Sequence, residues 1–113
     1  MTFTHVGRNI VRDELRTLVA KGILGTSGTE ASVNDTALGG AVGDTELDIT
    51  TAVGDRQLVI DYNLPATSGN GITFQEFGVT NEAGTTLFSR NVFSSLVKSS
   101  ADQWQITVKY NIR

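Results

Sequence analysis

The sharpest pattern along the chain lies in its last ten residues, where Trp104, Ile106, Val108, Tyr110 and Ile112 alternate with Gln105, Thr107, Lys109, Asn111 and Arg113. Successive side chains of a β-strand point to opposite faces, so the alternation predicts an antiparallel strand with one apolar and one hydrated face. Near the N-terminus the period changes. Between His5 and Lys21, the residues Val11, Leu15, Leu18 and Val19 fall at i, i+4, i+7 and i+8 and form one apolar stripe of a helix over 5–21. Thr4 is placed to cap this helix, and Gly22 sits where a left-handed residue ends one. Arg8, Arg12, Asp13, Glu14, Arg16 and Lys21 supply its hydrated flank. Such a helix docks on a sheet or is shared with a neighbouring subunit.

From Gly25 to Asp44 the chain is polar and glycine-rich, broken only by short apolar islands such as Ala37-Leu38. A stretch of that length without periodicity reads as a functional loop or a disordered one. Beyond it, Leu47 and Ile49 alternate, then Leu58, Ile60, Tyr62 and Leu64, with a turn at Gly54-Asp55 and a loop from Pro65 to Gly71. Phe74 is followed by Phe77 and Val79, and this change of parity predicts a β-bulge near Glu76–Gly78. Asn81-Glu82-Ala83-Gly84 reads as the turn of a hairpin pairing this strand with Thr86–Phe93, after which 94–103 leads to the last strand. The expected fold is a mainly β single domain over 1–113. It comprises an amphipathic helix at 5–21, a glycine-rich loop region at 22–45, and an antiparallel β-sandwich at 46–113, jelly-roll-like or a small barrel.

Composition narrows the picture. A chain of 113 residues can build one core without metal or disulfide support. With 12 Gly, 1 Pro and 39% hydrophobic residues, it suits a loop-rich β protein better than a helical bundle. The absence of Cys excludes a disulfide framework, a thiol nucleophile and a thiolate zinc site. Net charge is −3 and dispersed, with no run of Lys or Arg, so a nucleic-acid partner is not expected. No apolar stretch approaches the ~18–20 residues that span a bilayer. The first residues, Met1-Thr2-Phe3-Thr4-His5, lack the basic start and apolar centre of a signal peptide, and the protein is expected to be soluble where it is made.

Candidate chemistry is sparse. His5 is the only histidine and no Gly-x-Ser-x-Gly elbow accompanies it, which argues against a Ser-His-acid mechanism. Glu46 and Asp48 share a strand face, with Asp44, Asp55 and Asp61 near in sequence. Paired carboxylates suit glycoside hydrolysis or a calcium ion. The face opposite Leu47 and Ile49 is hydrated, however, and acids there need no special role. Gly25-Thr26-Ser27-Gly28-Thr29 lacks the following helix and the Lys of a phosphate loop. Trp104, Tyr62, Tyr110 and the five Phe residues would suit a sugar platform, but most fall on faces expected to be core. Phe88 and Phe93 are five apart, so a regular strand turns one of them outward as a contact or interface anchor. No catalytic residue, metal or cofactor is expected.

Three blocks taken in order carry a resemblance. They are Gly7-Arg8-Asn9-Ile10-Val11-Arg12-Asp13; then Leu24-Gly25-Thr26-Ser27-Gly28-Thr29 running to Asp35-Thr36-Ala37-Leu38-Gly39; then Phe74-Gln75-Glu76-Phe77-Gly78-Val79 with Gly84-Thr85-Thr86-Leu87-Phe88-Ser89-Arg90-Asn91-Val92-Phe93, followed by Lys98 and the last strand. Together they resemble a module of virion proteins from tailed bacteriophages and tailed archaeal viruses, found at the start of tail fibres and as shorter free-standing versions. The resemblance spans nearly the whole chain. Where that family often continues after the second block with an acidic residue and an Arg, this chain has Gly40-Ala41-Val42-Gly43. No shaft or receptor-binding domain follows Arg113, which points to an adaptor, a tail or baseplate accessory, or a capsid decoration rather than a long fibre.

The resemblance implies a non-enzymatic structural subunit located in the virion after assembly in the host cytoplasm. It would act by self-association, as a trimer or higher ring near a symmetry axis, and by docking on other virion proteins. The residues expected at contacts are Arg8, Arg12, Phe88, Arg90 and Phe93, with the loop from Gly25 to Asp44. Gly78 is expected where the backbone bends, Gly84 where a turn needs positive φ, and Asp35-Thr36 as a cap fixing the long loop. Two other classes stand beside this one: a carbohydrate-binding sandwich recognising a host-surface glycan, and a small hydrolase using Glu46, Asp48 or Asp61.

Overall fold

The computed structural model describes residues 1–113. Helix α1 (His5–Leu18) leads into strand β1 (Lys21–Gly25), and a 3-10 turn at Gly43–Thr45 precedes β2 (Leu47–Asp48). The remaining strands are β3 (Thr50–Gly54), β4 (Gln57–Leu64), β5 (Thr73–Thr80), β6 (Leu87–Val97) and β7 (Trp104–Asn111). They form a four-stranded sheet in the order β2-β1-β5-β6 and a three-stranded sheet in the order β3-β4-β7, antiparallel throughout. This is the small β-sandwich with an N-terminal helix that the pattern predicts.

The core lies where the inward faces of the sheets meet. Leu58, Ile60, Tyr62 and Leu64 of β4 face Leu24 of β1 and Phe74, Phe77 and Val79 of β5, all buried. The Tyr62 and Phe77 rings pack 5.0 Å apart, and Phe74 meets Trp104 edge-on at 5.6 Å. At side-chain scale this aromatic layer joins the two sheets.

Helix α1 begins as expected, with the Gly7 N–H donating to Thr4 Oγ1 at 3.0 Å, but it ends at Leu18 rather than Lys21. Val19 is extended and buried, and the backbone of Ala20 bonds to Thr80 and Ile49, so the sheet takes over the chain at once. Gly22 is therefore not a helix-ending residue. It lies in β1 opposite Val79, and a Cβ there would stand 2.4 Å from Tyr62 Cδ2 and 2.9 Å from Phe77 Cζ. The expected loop region at 22–45 thus opens with an inner strand. Glycines on either side of Ile23-Leu24 left too short an apolar run to show it.

The break in parity at β5 falls one step earlier than expected, between Phe74 and Glu76, and a second lies between Val79 and Thr80. In both places β6 supplies the extra residues: its register jumps from Leu96 to Val92 at the first and from Ser89 to Leu87 at the second. Strand β6 also runs four residues beyond the expected Phe93, to Val97. The turn at Asn81–Gly84 forms as expected, with Gly84 at φ +71°.

Candidate functional site

Strand β5 is buried on both faces, and its outer face carries Glu76, which is fully buried. One carboxylate oxygen accepts from Gly39 N at 3.0 Å and Arg90 Nε at 2.8 Å, the other from Ser27 N at 2.9 Å and Gly40 N at 2.8 Å. Arg90 also reaches Asp35 at 3.2 Å and the Ser27 carbonyl at 3.4 Å, and its side chain is only 4% exposed. Burial pushes the Glu76 carboxyl up. The Arg90 guanidinium and the backbone donors of Ser27, Gly40 and Gly39 together outweigh it and hold the group below the usual carboxylate range. This cluster fastens the glycine-rich segment across the sheet as an ordered cover.

Small residues permit the fit. A Cβ on Gly25 would stand 2.5 Å from Glu76 Oε2, and one on Gly78 would stand 2.9 Å from Leu38 Cδ2 of the covering segment. Gly78 is therefore required by the close approach of Leu38, not by a backbone bend. Asp35 caps Ser32 N at 2.9 Å, the local bond expected of it, and adds the long-range ion pair to Arg90.

A different surface lies along one side of the sandwich. Strand β6 ends one sheet and β7 ends the other, each paired on a single side. The cleft their residues share and the bond between Ser89 and Tyr110 put both edges on the same flank of the molecule. Between them the sheets do not seal. Trp104, Ile106 and Val108 are only half-buried, and with Phe93 and Leu96 they line a cleft of about 400 Å³. Clefts continue along β7 towards Pro65 at the Trp104 end and towards Leu15, Phe88 and Ile112 at the Tyr110 end. Leu96, in the cleft lining, is 54% exposed, and Val97, the next residue of the same β6 edge but on its other face, is 63% exposed. Tyr110 and Ser89 share a hydrogen bond between hydroxyls across it, and burial raises the Tyr110 phenol above its ordinary value.

Lys98 follows directly on β6. It is fully buried, and Nζ donates to Asn70 Oδ1 at 2.9 Å, the Ser99 carbonyl at 3.1 Å and the Ala66 carbonyl at 3.3 Å. The ammonium thereby ties the loop at 65–71 to the β6–β7 connection.

The residues expected at contacts do not form one patch. Arg12, 14% exposed, donates to the Gly54 carbonyl at 2.6 Å and pins α1 to the β3–β4 turn. Arg8 donates to the Phe3 carbonyl and lies 4.8 Å over the Phe3 ring. Phe88 and Phe93 both pack against the core, because each sits at one of the two register shifts and the parity rule for a regular strand does not apply. The expectation that one of them faces outward is corrected by this. Arg90 lies on the opposite face of β6, under the cover. Glu46 and Asp48 are exposed, with Asp48 paired to Lys21 at 2.6 Å, and Asp61 accepts from Thr107 Oγ1 at 2.7 Å. No cluster of three or more His, Cys, Asp or Glu side chains is arranged to hold a metal.

Sequence reasoning missed the seam itself. Its signal was present as the paired Leu96-Val97 next to Lys98 and as the apolar face of β7, which pattern alone assigns to core. No protein-family model, curated protein or solved structure matches the chain.

Proposed function

We propose that the protein is a non-enzymatic structural subunit of a tailed virus particle, a tail, fibre or baseplate accessory or a capsid-surface decoration. It works by self-association and by docking on other virion proteins. The observation that carries this reading is the unsealed flank between β6 and β7, where a strip of apolar side chains lies between two unpaired strand edges. Large contiguous apolar strips rimmed by polar residues mark protein-interaction sites or ligand grooves. The three sequence blocks that resemble virion modules support the same reading. Two of them meet in the structure, since Asp35 and Gly39 of the second are bound to Glu76 and Arg90 of the third.

Packing is favoured over sugar binding by the placement of the aromatic rings. Phe3 alone among them is exposed, and every other ring is half-buried or buried. A glycan platform needs a ring face open to solvent.

The test is made on particles. Mass spectrometry of density-purified virions should find the chain at fixed stoichiometry, and antibody labelling in electron micrographs should place it on the tail or the capsid surface. A full yield of particles from which the chain is absent, with all of it left in the soluble fraction, overturns the reading.

A further inference from the structure

We infer that a second copy of this chain docks across the β6–β7 seam, its β6 edge running antiparallel to the first about a twofold axis normal to the sheets. The inference rests on the reading of the protein as a self-associating subunit and names the surface that does it.

Backbone geometry is the first support. An unpaired strand edge presents a row of N–H and C=O groups that another strand can satisfy, and soluble proteins usually blunt such edges with lysine, proline, a β-bulge or a very short strand. The other end of this sheet is protected in that way, because β2 has two residues. Strand β6 has eleven, with no Pro or Lys; its one charged side chain, Arg90, is turned under the cover, and between its two register shifts the run from Ser89 to Val92 stays regular. An antiparallel pair of identical strands is self-complementary, and an isologous contact of this kind closes at two copies.

The self-complementary edge names the occupant, and charge permits it. The molecule carries −3 overall, so copies repel at most orientations. The main cleft, however, is lined by apolar residues with Asn91, Gln103, Gln105 and Thr107 and contains no charged side chain. A foreign partner chosen by charge would find nothing there to read, whereas two copies can meet along this strip without like charges opposed. Surface area agrees. A folded monomer of 12.1 kDa exposes about 6,000 Å², and this chain exposes 6541 Å². Its radius of gyration, 14.8 Å, also exceeds the roughly 13 Å usual for this length. The surface excess fits a flank left open, and the radius reflects a long axis of 50 Å against 26 and 25 Å. Pairing across the flank would join the two four-stranded sheets into one of eight strands and cover Leu96, Trp104, Ile106 and Val108 on both copies. The unit of assembly is then a twofold pair, on which any ring is built.

The experiment compares the purified full-length chain with Leu96→Lys and Val97→Lys, both at exposed positions, and with Val6→Lys on the exposed side of α1 as control. Sedimentation velocity over a concentration series should show twice the chain mass for the native protein and the control. Each seam variant should weaken association about tenfold or more, as for a central interface residue, with an unchanged thermal transition of the dilute protein. Amide exchange of β6 and β7 should slow as concentration rises. A protein that stays monomeric at every concentration overturns the inference. So does an oligomer that neither variant weakens and whose β6 and β7 amides exchange freely. Monomeric variants that still enter particles at native stoichiometry leave the structural role standing and remove the seam. A native pair that never enters particles does the reverse.

Discussion

At the scale of single residues, the most consequential group is Glu76, a fully buried carboxylate with four hydrogen-bond donors from two distant parts of the chain. Removing its charge leaves Arg90 with Asp35 alone, and breaking a buried ion pair on one side typically destabilises by about 3 kcal/mol. Glu76→Gln should therefore lower the unfolding free energy by an amount of that order in urea titrations. The pH dependence follows from the direction of the shift. A free glutamate titrates near 4.5 and the folded value is lower. The contribution is complete above that pH and fades as the medium is acidified through the folded value. Asp35 and Arg90 are the charged groups facing it, and Arg90 stays ionised throughout. Urea titrations at stepwise lower pH should show the gap between native and Glu76→Gln proteins closing below about pH 4.5; a gap that widens on acidification would contradict this. Gly22 makes the complementary point in the core. Gly22→Ala drives a methyl group into the Tyr62–Phe77 pair and should destabilise by about 1–3 kcal/mol, read as a shift of the urea midpoint at constant slope.

At the scale of elements, α1 is held differently from the strands. None of its residues is fully buried, and Val6 and Ile10 are 70% and 64% exposed. Polar bonds to the β3–β4 turn do much of the work: Arg12 reaches the Gly54 carbonyl, and the Arg56 N–H donates to Asn9 Oδ1 at 2.7 Å. Asn9 Nδ2 also reaches Asp55 at 3.2 Å. Asn9→Ala should loosen the helix by roughly 1–2 kcal/mol, the loss of two such bonds. Hydrogen exchange should show α1 amides opening faster while those of β4 and β5 keep their protection. Equal acceleration everywhere would mean that helix and sandwich unfold as one unit.

At the scale of the whole molecule, the flank left open between β6 and β7 makes stability depend on association. A partner that binds only the folded state stabilises it by mass action. The native protein should therefore melt at a higher temperature as its concentration rises, and the rise for Leu96→Lys should set in at a concentration about tenfold higher or more. Scanning calorimetry over a hundredfold concentration range checks this. A native transition that ignores concentration would mean that the seam is not covered by a second copy in solution.

Local pattern was enough for much of the architecture. The alternation in β4 and β7, the Thr4 cap, the Asn81–Gly84 turn and the grouping into a helix followed by a sandwich are short-range matters, governed by side-chain period and turn chemistry. Strand β1 was hidden because its apolar content is the pair Ile23-Leu24 between glycines whose purpose is to admit Tyr62, Phe77 and Glu76 from elsewhere in the chain. The partners of Glu76 and Arg90 lie 36 to 63 positions away for the covering segment, a separation that carries no periodic trace. Whether the apolar face of β7 is sealed depends on which strands stand beside it. Period tells a side chain which face it occupies; only long-range pairing, with register shifts that turn both Phe88 and Phe93 inward, decides what that face meets.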